Sequence, residues 1–486
     1  MPELSRLSDI DEGLTAALGR GLAAVAQPGQ VYLLEGPLGA GKTHFARAFI
    51  RARLRQPDAE VPSPSFTLVQ TYDDPAGAEI WHADLYRLGD ATEVAELGLE
   101  DASPEDIRLI EWPDRLHTPP EDALIVAFSE GTTPDRRTVT LSTATGVAAP
   151  DDWSGISRAV ARTGFLAASG MGEAMLQPLA GDASSRRYFR VTDGARTAIL
   201  MDDAPGNLGP YLTMTDWLRN RGFHAPTVYA ADTEAGFALL EDLGDDLLAR
   251  VLADDPGLAA EAYLRLADLL AALHRHPPAP GLSALDGKAL AFQADVFADW
   301  YGPAVGAPEG LGPTIAATLY ELHERLCADT PPVTGLRDFH AENIVWMGDA
   351  PPGLLDFQDA VAVHPAYDLV SVLQDVRRDV AETVEHATLD HYITVTGQDP
   401  ASFRAAYALL GAARNLRILG IFARLCLRDG KPRYLDFMPR AWALLQRDLG
   451  HPALASLAGA LAPMPPPDPG VIEEMRTRCG TVTRTP

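Results

Sequence analysis

Short apolar runs alternate with stretches of helical periodicity over residues 1–145 of the chain. This alternation predicts parallel strands joined by crossover helices, which is an α/β arrangement. An apolar run at residues 31–35 leads directly into a helical pattern at residues 43–53. The five predicted strands of this part lie at residues 31–35, 79–83, 108–111, 124–128 and 138–142.

The pattern changes after a looser stretch at residues 143–153, which contains glycine, proline and two adjacent aspartates. Three further strand-like runs are followed by long alanine- and leucine-rich helical segments that continue to about residue 459. This order predicts a two-lobed α+β domain, with a small sheet-containing lobe ahead of a large helical lobe. The three strand-like runs lie at residues 175–179, 188–192 and 197–201.

The chain has 486 residues, which is too long for one ordinary hydrophobic core. Its end is proline-rich at residues 463–469, and this composition predicts an extended or disordered segment. We therefore divide the chain into a first domain, a linker, a second domain and a tail, which span residues 1–147, 148–160, 161–462 and 463–486.

Charge and cysteine content narrow the classes of function. The formal net charge of −27 argues against direct strong binding to nucleic acid, because such binding depends on Lys and Arg that neutralise phosphates. The cysteines, Cys327, Cys426 and Cys479, are scattered without the spacing of a disulfide framework or a zinc site. No apolar run reaches the length of a membrane span, and no signal pattern is present. We expect a cytoplasmic protein without a membrane partner.

A complete Walker A loop, GPLGAGKT, occupies residues 36–43 directly after the first predicted strand. Glycines let successive backbone N–H groups point at phosphate oxygens, while Lys42 neutralises charge and the Thr43 hydroxyl can hold magnesium. The loop predicts ATP and Mg²⁺ as cofactors. The nucleotide-binding candidates are Gly36, Gly39, Ala40, Gly41, Lys42 and Thr43.

Two acids follow later strands of the same predicted sheet. Asp84 and Glu111 each stand at a strand end, where a magnesium-bound nucleotide would lie, and Trp112 follows Glu111. A loop at residues 61–68 carries two prolines and several hydroxyls, and it could sense the terminal phosphate. We therefore expect Asp84 to serve as a catalytic and magnesium-binding residue and Glu111 as a catalytic residue.

These motifs resemble the tRNA threonylcarbamoyladenosine biosynthesis ATPase family, TsaE. The loop LGAGKT and the segments SPSFTL, HADLYRL and EWP occur in the family's order within residues 1–145. The resemblance implies a P-loop ATPase fold in which Trp112, with Glu111, completes the nucleotide site. It also implies docking on TsaD and TsaB proteins during modification of adenosine 37 in tRNA. A GTPase is disfavoured because no lysine lies in an Asn-Lys-x-Asp motif.

The second domain carries a kinase-like arrangement of polar residues. Asp338 and Asn343 are five residues apart, and Asp356 follows in an apolar run about a dozen residues later. This spacing is typical of kinase folds, where the first acid accepts the proton of the attacking hydroxyl and the other two residues hold magnesium. Asp359 and Asp368 are placed to support the metal loop by hydrogen bonds.

Upstream, a turn containing Gly181 and Ser184 could cover nucleotide phosphates, and Glu241 lies in the predicted link between the lobes. These segments resemble the aminoglycoside phosphotransferase and choline kinase superfamily. Within it, GDASSRRYFR, LLEDLG, RDFHAEN and DFQDA resemble the AmgK family over about residues 160–460. The resemblance implies a protein-kinase-like fold and phosphorylation of the anomeric hydroxyl of N-acetylmuramic acid or N-acetylglucosamine in cell-wall recycling.

Two positions depart from the kinase pattern. Leu336 replaces the usual histidine two residues before the base, and Met201 occupies the strand position where kinases usually carry a lysine. Arg187 or Arg190 could supply the missing charge. Two alternatives therefore stay open for the second domain. It could be a non-catalytic pseudokinase that docks on the ATPase, or a kinase for another alcohol such as an aminoglycoside or choline.

Overall fold

The computed structural model describes residues 3–89, 93–94, 96–99, 102–143, 155–179 and 186–482. It divides into two compact units. The first unit contains Met1–Gly209 and Thr227–Asp242, and the second contains Pro210–Pro226 and Leu243–Pro486.

A seven-stranded sheet forms the N-terminal half of the first unit, with the strand order β1-β7-β6-β2-β5-β4-β3. Strand β2 is parallel to β5 and β6, and β4 is parallel to β5, which confirms the predicted parallel-containing α/β class. The elements are β1 (Glu3–Ile10), α1 (Glu12–Ala23), β2 (Val31–Glu35), α2 (Lys42–Leu54), β3 (Val69–Asp73), β4 (Glu79–Asp84), β5 (Ile107–Glu111), β6 (Leu124–Glu130) and β7 (Arg137–Thr143).

All five strands predicted from apolar runs are present, and β1 and β3 are two that the pattern did not reveal. Both lie at the edges of the sheet and pair antiparallel with a single neighbour. Their residues are mostly half-buried or exposed. An edge strand that is partly exposed to solvent does not require a continuous apolar run. Its hydrophobic pattern in the sequence is therefore weak.

A second, antiparallel sheet completes the first unit, with the order β11-β12-β10-β9-β8. Its core contains Leu166, Phe189, Leu200 and Phe237. The three strand-like runs predicted here are confirmed. The strands are β8 (Met175–Leu179), β9 (Arg187–Asp193), β10 (Arg196–Asp202), β11 (Val228–Asp232) and β12 (Phe237–Leu240).

One helix, α3 (Ile156–Ala168), packs against both sheets of the first unit. Its N-terminal residues Ile156 and Val160 belong to the apolar core under the seven-stranded sheet. Further along, Leu166 belongs to the core of the five-stranded sheet. Residues 156–160 of the segment interpreted as a linker are therefore the first turns of a helix shared by the two sheets.

The shared helix is also held by a buried ion pair. Arg162 is 1% exposed, and its Nη1 donates to Asp202 Oδ2 at 2.9 Å. Arg158 of the same helix donates to the other carboxylate oxygen of Asp202 at 2.7 Å. Because Asp202 lies at the end of β10, these bonds connect α3 to the five-stranded sheet.

Replacing Arg162 by Met is expected to lower the free energy of unfolding by about 3 kcal/mol, because it leaves a buried carboxylate with one partner fewer. Urea unfolding of the full chain measures the effect. Arg6→Met is the matched control, since the Arg6–Glu3 pair is 53% and 44% exposed and its loss should cost far less than the loss of a buried pair. Equal losses in the two variants would contradict a structural role for the buried pair.

The second unit is mainly helical. Its helices are α4 (Gly209–Arg219), α5 (Leu248–Asp254), α6 (Ala259–Leu273), α7 (Gly287–Val296), α8 (Leu311–Leu326), α9 (Ala366–Leu373), α10 (Glu382–Thr396), α11 (Pro400–Leu427), α12 (Met438–Leu449), α13 (Ala455–Leu461) and α14 (Pro469–Thr477). The π-helical turn Phe297–Tyr301 continues α7. Four short strands pair in two ribbons, β13 (Val333–Gly335) with β16 (Val361–Val363) and β14 (Ile344–Val345) with β15 (Gly353–Leu354).

The long helix α11 runs through the core of this unit, with most of its 28 residues buried. Within the segment predicted to be extended or disordered, residues 463–469, residues 465–468 form neither helix nor strand, and the helix Pro469–Thr477 begins at the last residue of that segment. The Asp468 side chain caps this helix by accepting from Val471 N at 2.9 Å, and Pro469 occupies its first turn. An Asp-Pro pair is a common helix start, so the signal was present. Among the helices of the described residues, none is long and apolar enough to cross a membrane.

Candidate active sites

The P-loop connects β2 to α2 and depends on two glycines. Gly36 has φ +137°, and a Cβ at this position would lie 2.5 Å from the carbonyl oxygen of Phe128. Gly41 has φ +103° and precedes α2 without a side-chain cap. Backbone N–H groups at the start of the helix are thus available to an anion, as a phosphate site requires.

Lys42 is 4% exposed and lies within this loop. Its Nζ donates to the carbonyl oxygens of Gly36 at 2.7 Å and Pro37 at 2.9 Å. The ammonium also lies 4.0 Å from the centre of the Trp112 ring. Burial lowers the pKa of Lys42, while the carboxylate of Glu111 acts in the opposite direction. The predicted phosphate-binding lysine and Trp112 are therefore part of one cluster.

Glu111 connects the loop to the sheet. It is 2% exposed, and its Oε2 accepts from the Thr43 hydroxyl at 3.0 Å. Its other oxygen, Oε1, lies 3.0 Å from Nε2 of His82, which is fully buried on β4. The motif segment HADLYRL contains His82, but the sequence assigned no role to that residue.

Asp84 lies beside Glu111, because the two residues pair in register at the ends of the parallel strands β4 and β5. Its Oδ2 accepts from the Ser65 hydroxyl at 2.6 Å, and its Oδ1 accepts from the backbone N–H of Tyr86 at 3.1 Å. The hydroxyl-bearing loop predicted to sense a phosphate is thus hydrogen-bonded directly to Asp84. Parallel strands bring both acids to one edge of the sheet.

The donor set fits magnesium. The Thr43 hydroxyl and the carboxylates of Asp84 and Glu111 are hard oxygen ligands, which Mg²⁺ prefers together with nucleotide phosphates and water. In the structure, Thr43 is hydrogen-bonded to Glu111, and Asp84 is hydrogen-bonded to Ser65. These residues would hold the ion, and the bond from the Tyr86 backbone N–H would orient Asp84.

The five-stranded sheet presents a different set of charged residues. Met201 is fully buried on β10, and Arg190 on β9 pairs with Asp242 through bonds of 2.7 and 3.1 Å. Arg187 is exposed at the start of β9. Glu241 accepts from the Thr227 backbone N–H at 2.9 Å and its hydroxyl at 2.7 Å. Its carboxylate therefore holds the backbone and side chain of Thr227 in place. The candidates Gly181 and Ser184 lie outside the described residues.

In the second unit, the three kinase-like residues come together around one loop. Asn343 Nδ2 donates to the Asp338 carbonyl oxygen at 2.9 Å and lies 3.5 Å from Asp356 Oδ2. Gln358 Nε2 donates to Asp356 Oδ1 at 2.9 Å and to Asp359 Oδ2 at 3.2 Å. Asp356 has φ +54°, a strained value for a non-glycine residue that is common at functional sites. The Asn343 and Asp356 oxygens suit Mg²⁺ shared with nucleotide phosphates.

Asp368 binds the backbone of the loop that leads to Asp338. It is 1% exposed on α9, and its two oxygens accept from the backbone N–H groups of Leu336 at 2.6 Å and Arg337 at 3.0 Å. Burial raises the pKa of Asp368 to about 7. Both bonded N–H groups immediately precede Asp338, so Asp368 positions the candidate base.

His364 holds the start of the helix that carries Asp368. Its Nδ1 accepts from the backbone N–H of Ala366 at 3.1 Å, so this nitrogen is unprotonated. Burial lowers the pKa of His364 from 6.5 to about 4. Because the folded protein resists protonation that the unfolded chain accepts, His364 stabilises the fold fully above pH 6.5. This contribution is lost as the pH falls toward 4.

We expect the free energy of unfolding to fall by about 2 kcal/mol between pH 7.5 and pH 5 through His364 alone. Urea unfolding at both pH values measures the fall. His364→Asn retains a side-chain acceptor but does not titrate, so the fall should be smaller in this variant by that amount. An identical pH dependence in both proteins would show that His364 is not neutral in the folded state.

Two family models match the chain. The model of the threonylcarbamoyl adenosine biosynthesis protein TsaE matches residues 10–139, and that of the phosphotransferase enzyme family APH matches residues 176–406. The matches contain all the candidate residues described above for each site.

Relatives are found for each part. The N-acetylmuramate/N-acetylglucosamine kinase of Caulobacter vibrioides is 36% identical over 353 residues, covering 62% of this chain and 94% of the relative. The enzyme of the same name from Pseudomonas aeruginosa is 36% identical and covers 62% and 93%. The tRNA threonylcarbamoyladenosine biosynthesis protein TsaE of Rickettsia bellii is 41% identical over 100 residues, covering 21% and 68%.

Two solved structures match the respective parts of the chain. A choline/ethanolamine kinase family protein from Mesorhizobium loti is 17% identical, with a TM-score of 0.43, and covers 59% of this chain and 92% of that one. YdiB of Bacillus subtilis is 24% identical, with a TM-score of 0.24, and covers 32% and 94%.

Proposed function

Because the chain belongs to the TsaE family through its N-terminal part and to the phosphotransferase enzyme family through its C-terminal part, we propose that it is a bifunctional ATP-dependent enzyme. The N-terminal ATPase supports N6-threonylcarbamoyladenosine modification of tRNA adenosine 37. The C-terminal kinase phosphorylates the anomeric hydroxyl of N-acetylmuramic acid or N-acetylglucosamine in cell-wall recycling. We also propose a cytoplasmic location, where ATP for both activities is at hand.

The kinase proposal depends above all on the arrangement of Asp338, Asn343 and Asp356. The Asp338 carboxylate is half-buried and has no ion pair within 4 Å among the described residues, so it is available to accept the proton of the sugar hydroxyl. Transfer of this proton to Asp338 leaves the sugar oxygen to attack the γ-phosphorus of ATP, and the bond from that phosphorus to the bridging oxygen breaks to release ADP. Magnesium held by Asn343 and Asp356 would neutralise phosphate charge, which is the main requirement of a loose phosphoryl-transfer transition state.

The ATPase proposal depends on the hydrogen bond between Thr43 and Glu111, which joins the P-loop to the strand edge that carries both acids. Lys42 would bind the β- and γ-phosphates, and Glu111 or Asp84 would orient water and metal. By family, TsaD- and TsaB-like proteins are the proposed partners. The net charge of −27 favours contact with such proteins over direct contact with tRNA.

Phosphorus NMR of the purified full chain with Mg-ATP tests the kinase proposal. Separate reactions contain N-acetylmuramic acid, N-acetylglucosamine, an aminoglycoside or choline. An anomeric sugar phosphate supports the proposal, whereas a product from only the aminoglycoside or choline assigns another alcohol. The buried Met201 favours one competitor, a pseudokinase without a nucleotide-binding lysine. No product from any acceptor would support that competitor.

A further inference from the structure

Three arginines of the second unit belong to one electrostatic cluster with the candidate base Asp338. Arg337 directly precedes it in the chain, and Arg414 and Arg417 lie on α11, three residues apart and hence on one face of the helix. Arg417 is within electrostatic range of Arg337, Asp338 and Arg414. Tyr367 of α9 is within range of the same three arginines. The helix α11 therefore presents positive charge to the catalytic loop.

These guanidinium groups have no salt-bridge partner in the described part of the chain. Arg414 is 7% exposed, and its buried Nη1 has no hydrogen-bond partner. Arg337 Nε is also buried without a partner. None of the three arginines forms an ion pair within 4 Å, whereas Arg447 of α12 forms two bonds of 2.7 Å with Glu385. A buried charge without an anion is costly, so such a charge indicates a ligand.

Two acids of this cluster already have other roles. Asp368, which is within electrostatic range of Arg414, uses its oxygens on the backbone N–H groups of the catalytic loop. Asp338 is the base that must receive a proton. Burial is the main effect on Arg417 and lowers its pKa, and the opposite effects of Tyr367 and Asp338 do not offset it.

The backbone at Arg337 supports a role for its side chain. Arg337 has φ +71°, which lies in the left-handed region. Glycine adopts this conformation at little cost, whereas a residue with a side chain is strained there. A large cationic side chain at such a position, beside the base, is consistent with a function that glycine could not perform.

We propose that Arg414 and Arg417, together with Arg337, bind the carboxylate of an acidic sugar substrate beside the acceptor hydroxyl. This inference rests on the proposed sugar kinase activity and specifies which sugar the site prefers. N-acetylmuramic acid carries a lactyl ether carboxylate two ring positions from the anomeric carbon, where N-acetylglucosamine has a neutral hydroxyl. Planar guanidinium groups are suited to bind a carboxylate through paired hydrogen bonds.

The test measures kcat/KM of the full chain for both sugars and for N-acetylmuramic acid converted to its amide. We expect Arg417→Gln to lower kcat/KM for the acid by about 10- to 100-fold, as the loss of a hydrogen bond to a charged group would. The value for N-acetylglucosamine should change by less than about 3-fold. Arg414→Gln should act in the same direction, and Arg417→Lys should restore part of the preference because it restores charge without the planar geometry.

Arg404→Gln is the matched control, because Arg404 lies on α11 and forms a partly exposed ion pair with Asp390. It should leave the ratio of the two sugars unchanged. The amide makes the test independent of folding, since the unaltered protein should prefer the acid to the amide and Arg417→Gln should lose that preference.

Equal losses for both sugars, with a raised KM for ATP, would overturn the inference and assign the arginines to nucleotide phosphates. Equal use of acid and amide by the unaltered protein would also overturn it. Failure of the proposed function has a different signature, because the unaltered protein would then phosphorylate neither sugar.

Discussion

Asp338→Asn is expected to lower kcat for sugar phosphorylation by about 10²- to 10⁴-fold, the usual contribution of a general base. The variant keeps the shape of the side chain but cannot accept the proton of the attacking hydroxyl. Asn343 bonds to the backbone carbonyl of residue 338, so the loop should retain its conformation. Phosphorus NMR or a coupled assay for ADP measures the loss with each sugar.

Asp349→Asn is the matched control for this prediction, because Asp349 is exposed in the same part of the chain. It should leave sugar phosphorylation unchanged. If Asp338→Asn kept near-normal turnover, the base would have been assigned to the wrong acid. Retained turnover would also reopen the pseudokinase alternative, with the observed activity due to a contaminant.

Lys42→Ala is expected to lower ATP hydrolysis by the N-terminal site by about 10²- to 10³-fold, the cost of removing a preorganised charge from a phosphate site. Lys42 supplies the positive charge of the P-loop. Its ammonium group donates to two carbonyl oxygens of the loop, and the Trp112 ring packs on it. Release of inorganic phosphate in the absence of sugar measures this activity, and sugar phosphorylation should remain unchanged.

Lys288→Ala is the control, since Lys288 is one of only three lysines in the chain and is exposed on α7. It should change neither activity. Loss of both activities in Lys42→Ala would contradict two independent sites. Such a result would make α3 the first candidate for coupling the two activities, because this helix packs in the cores of both sheets of the first unit.

Much of the fold could be predicted from the sequence, because central strands are buried on both faces. Strands β2, β5 and β6 carry continuous apolar runs and were found at nearly the correct bounds. The edge strands β1 and β3 were missed because partial exposure relaxes their pattern. The helical nature of residues 156–160 was missed because alanine, glycine and aspartate around this segment resemble a linker.

For the candidate sites, too, the sequence identified some residues and missed others. Local spacing singled out candidate residues where a motif is contiguous, as in the P-loop and in the spacing from Asp338 to Asn343. It assigned no role to His82, whose bond to Glu111 joins residues 29 positions apart. It also did not single out Arg414, more than 70 residues after Asp338, because one arginine in a long helix has no distinctive pattern.

The amino-acid sequence by itself determined the two families, the central strands, the P-loop and the identity of the base and metal-binding candidates, since each is encoded over a short stretch of chain. Only the tertiary structure decided which acids share a strand edge, which helix packs against both sheets of the first unit, and which arginines share an electrostatic cluster with Asp338. These depend on packing between segments distant in sequence, because burial and missing partners arise only when the chain is folded.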